Sequence, residues 1–331
     1  MKASNRSQRE REFRRRLLAW YDANARDLPW RKDRDPYRVW LSEIMLQQTR
    51  VAAVIEHYHE FLRRFPTVQK LALAREASVL AAWSGLGYYR RARMLHAAAK
   101  VIARERDGRF PQTAKEWQDL PGIGRYTSAA IASIAFGKPV AVVDGNVERV
   151  LQRVSGSLLA GEAVWSEAEK LLDRAGPGDF NQAMMELGAT VCTPRAPQCL
   201  TCPVLGMCAT RGEMAGLAKP VRQRKREVHY ALDLRDGRVF LVQRPRNASL
   251  MAGMWELPEI PAPEDHAKPV LTVRHSITVT DYTVRVWHGN FSDRSIGEWV
   301  RTDRLPRVAL TGLARKILRK AEIVLSQTEV N

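Results

Sequence analysis

Apolar residues recur at three- and four-residue spacing through roughly the first two-thirds of the chain. Segments 12–21, 39–45 running on through 51–61, 79–83, 94–101 and 126–136 each read as helix. Short turns carrying Gly or Pro separate them, at 85–87, 121–124 and Gly145. From Tyr230 the period changes. Segments 230–234, 239–243, 276–279 and 283–287 are short, β-branched and roughly alternating, with Asp236-Gly237 and Gly289-Asn290 as turn signals. A closing helix is predicted over 311–325, and no internal repeat is found. The pattern therefore predicts a multi-domain chain, an all-α domain followed by a small α+β domain.

Composition sharpens this. The chain has 331 residues, 45% of them hydrophobic, enough for a sizeable core and against disorder. No apolar run approaches the roughly 18–20 residues of a membrane span. The 53 Lys+Arg outweigh the 36 Asp+Glu to give +17. Residues 1–228 carry +14 of that excess and residues 229–331 only +3. An acidic partner follows; nucleic acid fits, and ribosomal or membrane-surface partners would fit the charge alone. The basic run Arg222-Gln223-Arg224-Lys225-Arg226 closes a predicted solvated linker, which could also lie along phosphates. The Arg-rich first 16 residues lack an apolar signal core, so a reducing, cytoplasmic setting is expected.

Several strings carry chemistry. All four cysteines fall in Cys192-x6-Cys199-x2-Cys202-x5-Cys208, a spacing for one soft centre, zinc or iron–sulfur, rather than for disulfides between distant segments. Leu120-Pro121-Gly122-Ile123-Gly124 precedes an apolar helix and is either a plain interhelical turn or an anion site at a helix N-terminus. Asp144 follows four apolar residues and fits either a helix cap or a catalytic carboxylate. Glu43 stands in the apolar helix Val39–Leu46, where burial without a partner costs several kcal/mol unless its pKa rises. Gln47-Gln48-Thr49-Arg50 and Gly85-Leu86-Gly87-Tyr88-Tyr89-Arg90-Arg91 combine amides, aromatics and cations, as nucleic-acid contacts or as solvated turns.

Taken in order, these strings resemble the adenine DNA glycosylases of the helix–hairpin–helix superfamily. Leu28-Pro29-Trp30-Arg31, Ser42-Glu43-Ile44-Met45-Leu46-Gln47-Gln48-Thr49, Gly85-Leu86-Gly87-Tyr88-Tyr89, the Pro121–Gly124 turn, Val143-Asp144-Gly145-Asn146-Val147 and the cysteine string carry the likeness over residues 27–208. It continues weakly through Gln243-Arg244-Pro245 and Gly253-Met254-Trp255-Glu256-Leu257-Pro258.

The resemblance implies a helical glycosylase domain over 1–209 with a [4Fe-4S] cluster on Cys192, Cys199, Cys202 and Cys208. A basic linker over 210–228 and a Nudix-like domain over 229–331 would follow, the latter lacking the pyrophosphohydrolase signature. It implies Glu43 as general acid toward the adenine and Asp144 as stabiliser of the sugar, with Tyr126 and Asn146 orienting the pair. Trp30, Arg31, Leu46 and Gln182 would line the pocket. Gln48 and Tyr88, beside Thr49 and Leu86, would fill the gap in the stack, and Pro121, Gly122 and Gly124 would hold DNA backbone.

The implied partner is double-stranded DNA with A:8-oxoguanine or A:G mispairs, bound by a monomer in the bacterial cytosol or nucleoid. Tyr126 stands where lyase relatives carry a Schiff-base Lys, which implies a monofunctional enzyme. Where the family reads 8-oxoguanine with Phe-Ser-His, this chain has Ile277-Thr278-Val279, and Thr278 would replace the serine hydroxyl. An altered opposite-base or mismatch preference is the alternative; a non-catalytic iron–sulfur DNA-binding module is the third.

Overall fold

The computed structural model of the chain describes residues 2–214, 224–263, 268–277, 279–291 and 296–323. Helices fill most of the first 190 residues: α1 (Lys2–Asn24), α2 (Pro36–Leu46), α3 (Val51–Arg64), α4 (Val68–Leu73), α5 (Glu76–Trp83) and α6 (Arg90–Glu105), then α7 (Ala114–Gln118), α8 (Arg125–Phe136), α9 (Gly145–Ser155), α10 (Glu162–Leu171) and α11 (Pro177–Thr190). Local chemistry starts several of them. Asp35 caps α2 by accepting the Arg38 N–H at 3.0 Å, and Pro36 supplies the fixed φ of the first turn. Thr113 and Glu116 close a capping box on α7.

Contacts divide the chain into two compact units, Met1–Gln48 with Val101–Lys219, and Thr49–Lys100 with Pro220–Asn331. In the first, residues 127–134 of α8 are all buried, and their small Ala, Ser and Thr side chains let α2, α7 and α11 approach. A second core joins Phe13 and Leu17 of α1 to Val150 and Leu151 of α9 and Phe180 and Leu187 of α11, with Cys192 and Cys202 against its edge.

In the second unit α3 packs on α5, where the Phe61 and Trp83 rings meet edge-on at 5.9 Å. Its remainder is the expected small α+β domain. One four-stranded sheet runs β5-β1-β7-β6 and a second joins β2, β3 and β4, with β8 on β3. The strands are β1 (Arg224–Leu232), β2 (Leu234–Arg235), β3 (Arg238–Gln243), β4 (Trp255–Glu256), β5 (Glu259–Ile260), β6 (Leu271–Ile277), β7 (Thr280–His288) and β8 (Glu298–Arg301). β1 and β7 pair in parallel from Arg224↔Thr280 to Leu232↔His288, and β6 and β7 form an antiparallel hairpin. Val284 and Val286 of β7, two residues apart, face a core closed by Leu313, Ile317 and Leu318 of α12 (Gly312–Lys320).

Three expectations shift. The strand read at 276–279 is the end of β6; Ile277 pairs with Thr280, so the chain turns there. Thr278 lies outside the described residues. The closing helix is shorter than 311–325: Thr311 caps its start, accepting the Ala314 N–H at 3.1 Å, and it ends at Lys320, with Glu322 at φ 58 and the Ile323 N–H returning to the Leu318 carbonyl. Of the basic run, Arg224, Lys225 and Arg226 belong to strand β1 rather than to a linker, their backbones paired to Thr280, Asp281 and Tyr282 while their side chains stay exposed. Among the described residues no helix is long and apolar enough to cross a membrane.

The tightest helix crossing in the first unit is at Gly188 of α11. A Cβ there would meet Asn146 at 2.6 Å from its Cβ and 2.9 Å from its backbone oxygen. Gly188→Ala must push α9 and α11 apart, and the expected loss is about 1–3 kcal/mol, typical of overpacking. Urea unfolding checks this: a lower midpoint at unchanged slope is expected, and an unchanged midpoint would show that the two helices part at no cost.

Candidate active site

Glu43 sits on α2 within the unbroken buried run Val39–Met45, and is itself 6% exposed. The helix gives the carboxyl no route to water. Its one short contact is the Tyr126 hydroxyl, which donates to Glu43 Oε2 at 2.6 Å and lies 3.5 Å from Met185 Sδ. Burial pushes the Glu43 carboxyl up; the Tyr126 hydrogen bond opposes, negative Asp144 adds to the rise, and Arg31 pulls it down. The outcome is a pKa of about 7, so a proton is held there near neutral pH. Burial first, then Glu43 and Asp144, push the Tyr126 phenol well above its ordinary value, so it remains a neutral donor.

Of the two readings offered for Asp144, the geometry shows the cap. It caps α9, Oδ1 accepting the N–H groups of Asn146 at 2.9 Å and Val147 at 2.7 Å. Its Oδ2 accepts the Asn146 side-chain amide at 2.9 Å. Burial pushes this carboxyl up, and the bonds from Val147 and Asn146 oppose the rise. The segment leading to it, 140–143, is apolar but has no sheet partner. Side chains satisfy its backbone instead: Val142 N–H donates to Asn181 Oδ1 at 3.2 Å, Ala141 N–H to Glu169 Oε1 at 2.9 Å, and Asn181 Nδ2 to the Val140 carbonyl at 2.9 Å.

Arg149 fixes the orientation of Asn146. It donates to Asn146 Oδ1 at 2.8 Å, to the Gly188 carbonyl at 2.8 Å and to the Cys192 carbonyl at 2.8 Å. With Oδ1 so engaged, the amide nitrogen faces Asp144. One helical turn on, the buried Arg153 donates to Cys192 Sγ at 3.3 Å and to the Thr193 and Pro194 carbonyls.

Nearby, Glu186 of α11 is 1% exposed yet ionised. Burial pushes it up, but Arg26, at 2.6 and 2.7 Å, and Arg31, at 2.8 Å, hold it at about 2. Arg31 is therefore engaged with Glu186 and lies 5.5 Å from the Tyr21 ring centroid. Trp30 is buried, and Leu46 and Gln182 are half-buried, Gln182 sharing α11 with Met185 and Glu186. Asn181, Arg149, Met185 and Glu186 were not singled out by sequence, because the side-chain partners that define them are 39 or more residues away, apart from the bonds of Arg149 to Gly145 and Asn146.

The Pro121–Gly124 turn presents Gly122 and Gly124 to solvent ahead of α8, whose first turn has no side-chain cap. Gln48 is exposed at φ 55. In the second unit, Thr49 accepts from Arg91 at 3.1 Å, Leu86 is buried and Tyr88 is 45% exposed at φ 47.

The four cysteines line one cavity with Val150, Leu187, Val191 and Val204. Among the described residues no three His, Cys, Asp or Glu side chains converge closely enough for a single metal ion. The donor set nonetheless suits an iron–sulfur cluster: four thiols in apolar walls, the Arg153 guanidinium on Cys192 Sγ, and the Arg211 N–H directed at Cys208 Sγ at 3.4 Å.

Comparison with known proteins finds DNA repair proteins. Residues 41–172 match the HhH-GPD superfamily of base excision DNA repair proteins. The human adenine DNA glycosylase is 41% identical over 313 residues, covering 75% of this chain and 57% of the relative, so the chain spans less than two-thirds of that protein. A thermostable thymine-DNA glycosylase of known structure is 32% identical with a TM-score of 0.59, covering 62% of this chain and 97% of that one. An endonuclease III trapped on DNA, 22% identical with a TM-score of 0.53 over 61% of this chain and 96% of that one, shares the fold.

Because folding takes up a proton at Glu43, stability contributed by its protonated form is full below about pH 4.5 and is lost as pH rises toward about 7. Glu43→Gln removes that dependence. It is expected to exceed wild type by up to about 3 kcal/mol at pH 8 and to approach it at pH 4.5, as read from urea midpoints. Equal midpoints at both pH values would place the Glu43 carboxyl in a water-like environment.

Proposed function

The chain belongs to the HhH-GPD superfamily of base excision DNA repair proteins, and from that premise we propose that it is a monofunctional glycosylase removing adenine mispaired with 8-oxoguanine or guanine in duplex DNA. The observation that carries this reading is the pairing, around Tyr126, of one carboxyl that holds a proton near neutral pH with a second bound at a helix N-terminus. Cleaving the N-glycosidic bond needs both. Adenine is a poor leaving group until its ring is protonated, and the sugar it leaves is cationic at C1′.

Glu43, with Tyr126 donating to its other oxygen, gives its proton to a ring nitrogen of the flipped adenine. The C1′–N bond breaks and its electron pair leaves with the base. Asp144, held by three donors, presents its carboxylate to the oxocarbenium carbon. Water then adds at C1′ and returns its proton to Glu43, which completes the cycle. Extruding the base costs a few kcal/mol, offset by Gln48 and Tyr88 entering the gap while Trp30, Arg31, Leu46 and Gln182 receive it. A phenol at 126 cannot form an imine, so no strand nicking accompanies excision.

The uncapped first turn of α8 beside Pro121, Gly122 and Gly124 offers backbone N–H groups to a phosphate, and the +14 of residues 1–228 supports DNA as the partner. The cysteines at 192, 199, 202 and 208 would hold a [4Fe-4S] cluster, which when bound supplies a rigid, electron-carrying anchor for their loop. The catalytic domain would extend to residue 209, the C-terminal domain, which begins with β1 at Arg224 rather than at 229, would be Nudix-like and non-hydrolytic, and the enzyme would act as a monomer in the bacterial cytoplasm. Support for the Nudix-like reading comes from the Gln243-Arg244-Pro245 and Gly253–Pro258 strings and the two small sheets closed by α12.

A second reading, altered mismatch preference, is favoured by Ile277-Thr278-Val279 at the recognition segment. Single-turnover cleavage of A:8-oxoguanine, A:G and T:G duplexes after alkali separates them. Adenine-strand product is expected, fastest opposite 8-oxoguanine; T:G cleavage above both adenine duplexes favours the second reading, and no product on any duplex defeats both. Asp144→Asn should still bind the A:8-oxoguanine duplex while slowing excision by at least ~10³-fold, of the order of an electrostatic stabiliser; normal cutting would remove Asp144 from the mechanism. Iron and sulfide analysis of the purified protein should give about four of each per chain, and zinc in their place would refute the cluster.

A further inference from the structure

The turn between α5 and α6 is held from the α+β domain of its own unit. Gly85, Gly87 and Tyr88 all have positive φ, at 111°, 69° and 47°. For Tyr88 that conformation is strained, so the surroundings must enforce it. A Cβ on Gly85 would lie 2.9 Å from His57 Nε2 and 3.9 Å from Arg315 Cδ, so the backbone is seated closely.

The fastening is specific. Ser84 Oγ, just before the turn, donates to the Leu310 carbonyl at 2.6 Å, and Tyr89 OH, just after it, donates to the same oxygen at 3.2 Å. Both residues are buried. Arg315 Nε donates to Ser84 Oγ at 3.1 Å, which directs the serine proton to Leu310. The Leu310 carbonyl is itself fixed. Ala309 O accepts the Trp255 N–H and Thr311 N–H donates to Trp255 O, both at 2.9 Å, tying the segment to β4.

Arg315 lies on α12, and the next residue, Lys316, donates to the Arg274 carbonyl of β6 at 2.6 Å. One helix thus touches both the turn that presents Tyr88 and the β6–β7 hairpin. Arg315 is a largely buried cation whose Nη2 has no hydrogen-bond partner, and among the described residues no carboxylate pairs with it. An apolar side chain would fill that place without the desolvation cost, so stability alone does not account for an arginine there.

We propose that Arg315 is a positioning residue which, through Ser84 and helix α12, locks the Gly85–Tyr88 turn to the β6–β7 hairpin, so that the two segments facing the base opposite adenine act as one piece. This rests on the reading of Tyr88 and the 277–279 segment given above. Opposite-base discrimination then depends on a clasp that touches neither the DNA nor the catalytic carboxyls.

The test uses the full chain as Arg315→Ala, Arg315→Lys, Ser84→Ala and the Arg315→Ala/Ser84→Ala double variant. Two quantities are read: the ratio of single-turnover rates on A:8-oxoguanine and A:G, and amide hydrogen exchange across residues 84–89 without DNA. Arg315→Ala and Ser84→Ala are each expected to lower the ratio about tenfold and to speed exchange about tenfold, the size of one buried hydrogen bond to a charged group. The double variant should fall no further than the worse single, because both remove one contact. Arg315→Lys, which keeps a donor, should recover part of both effects.

Unchanged ratio and exchange in Ser84→Ala, the least disruptive variant, would overturn the clasp, as would a lowered melting temperature with both readouts intact. Wild type inactive on both duplexes would defeat the adenine reading, while exchange would still decide the clasp.

Discussion

Taking a carboxyl group out of water is the constraint on which the rest of this structure turns. Three carboxyls in the first unit meet it in three ways. Glu43 has one hydroxyl donor and no cation in contact, and its proton stays on to about pH 7. Glu186 is more deeply buried but faces two guanidinium groups, and is held at about 2. Asp144 meets the N–H groups of a helix terminus and an asparagine amide. Burial is common to all three; the charge and number of donors decide the protonation state. An acid and a carboxylate can therefore coexist in one apolar bundle, as adenine release requires. A cation at 126 would undo this division by drawing Glu43 down, so the tyrosine suits the retained proton.

Holding Asp144 in place has required a polar framework inside an apolar shell. The 140–143 segment has strand-like composition but no strand beside it, and Asn181 and Glu169 supply the backbone partners that a sheet would have given. Arg149 locks the Asn146 amide and reaches the carbonyl of Cys192, so α9 and the cysteine loop share one guanidinium. Gly188 permits the close crossing on which these bonds depend. Buried polar groups of this kind are worth their desolvation only when every member is satisfied, and the shared arginine is what completes the set.

Much of this was legible in the residues. Period and turn chemistry located α1, α2, α3, α5, α6, α8 and α12 and the strands β1, β3, β6 and β7, while α4, α7, α10 and α11 went unread; the four cysteines fall on one cavity, and Glu43, alone as consistent with a surface residue as with a buried acid, gained its weight from the resemblance. Asp144 was legible as two alternatives, cap or catalyst; the cap is what the geometry shows, and the hydrogen bonds that make it also bind the carboxylate's charge. What was not legible is long-range. Asn181 and Glu186 look like ordinary helix residues until their partners 41 and 160 positions away are known. The basic run at 224–226 reads as a linker because its side chains are all charged, yet its backbone pairs as an outer stretch of β1, where strand register with β7 outweighs composition.

Charge and discrimination also separate physically. Phosphate contacts supply affinity that is blind to sequence, and the concentration of +14 in residues 1–228 suits that task. Telling 8-oxoguanine from guanine requires instead that a few groups keep fixed distances, for which net charge is useless and rigidity is everything. Helices 49–100 form one compact unit with the near-neutral C-terminal residues. Within it, Ser84 and Tyr89 bracket the exposed Tyr88 turn and converge on a single backbone oxygen. A carbonyl locked into sheet pairing cannot follow a side chain that shifts, so whatever strain Tyr88 carries at positive φ is borne by the domain rather than relieved by the turn. Rigidity of the Tyr88 turn is thus obtained from the backbone around Leu310, which its bridge to Trp255 holds in place.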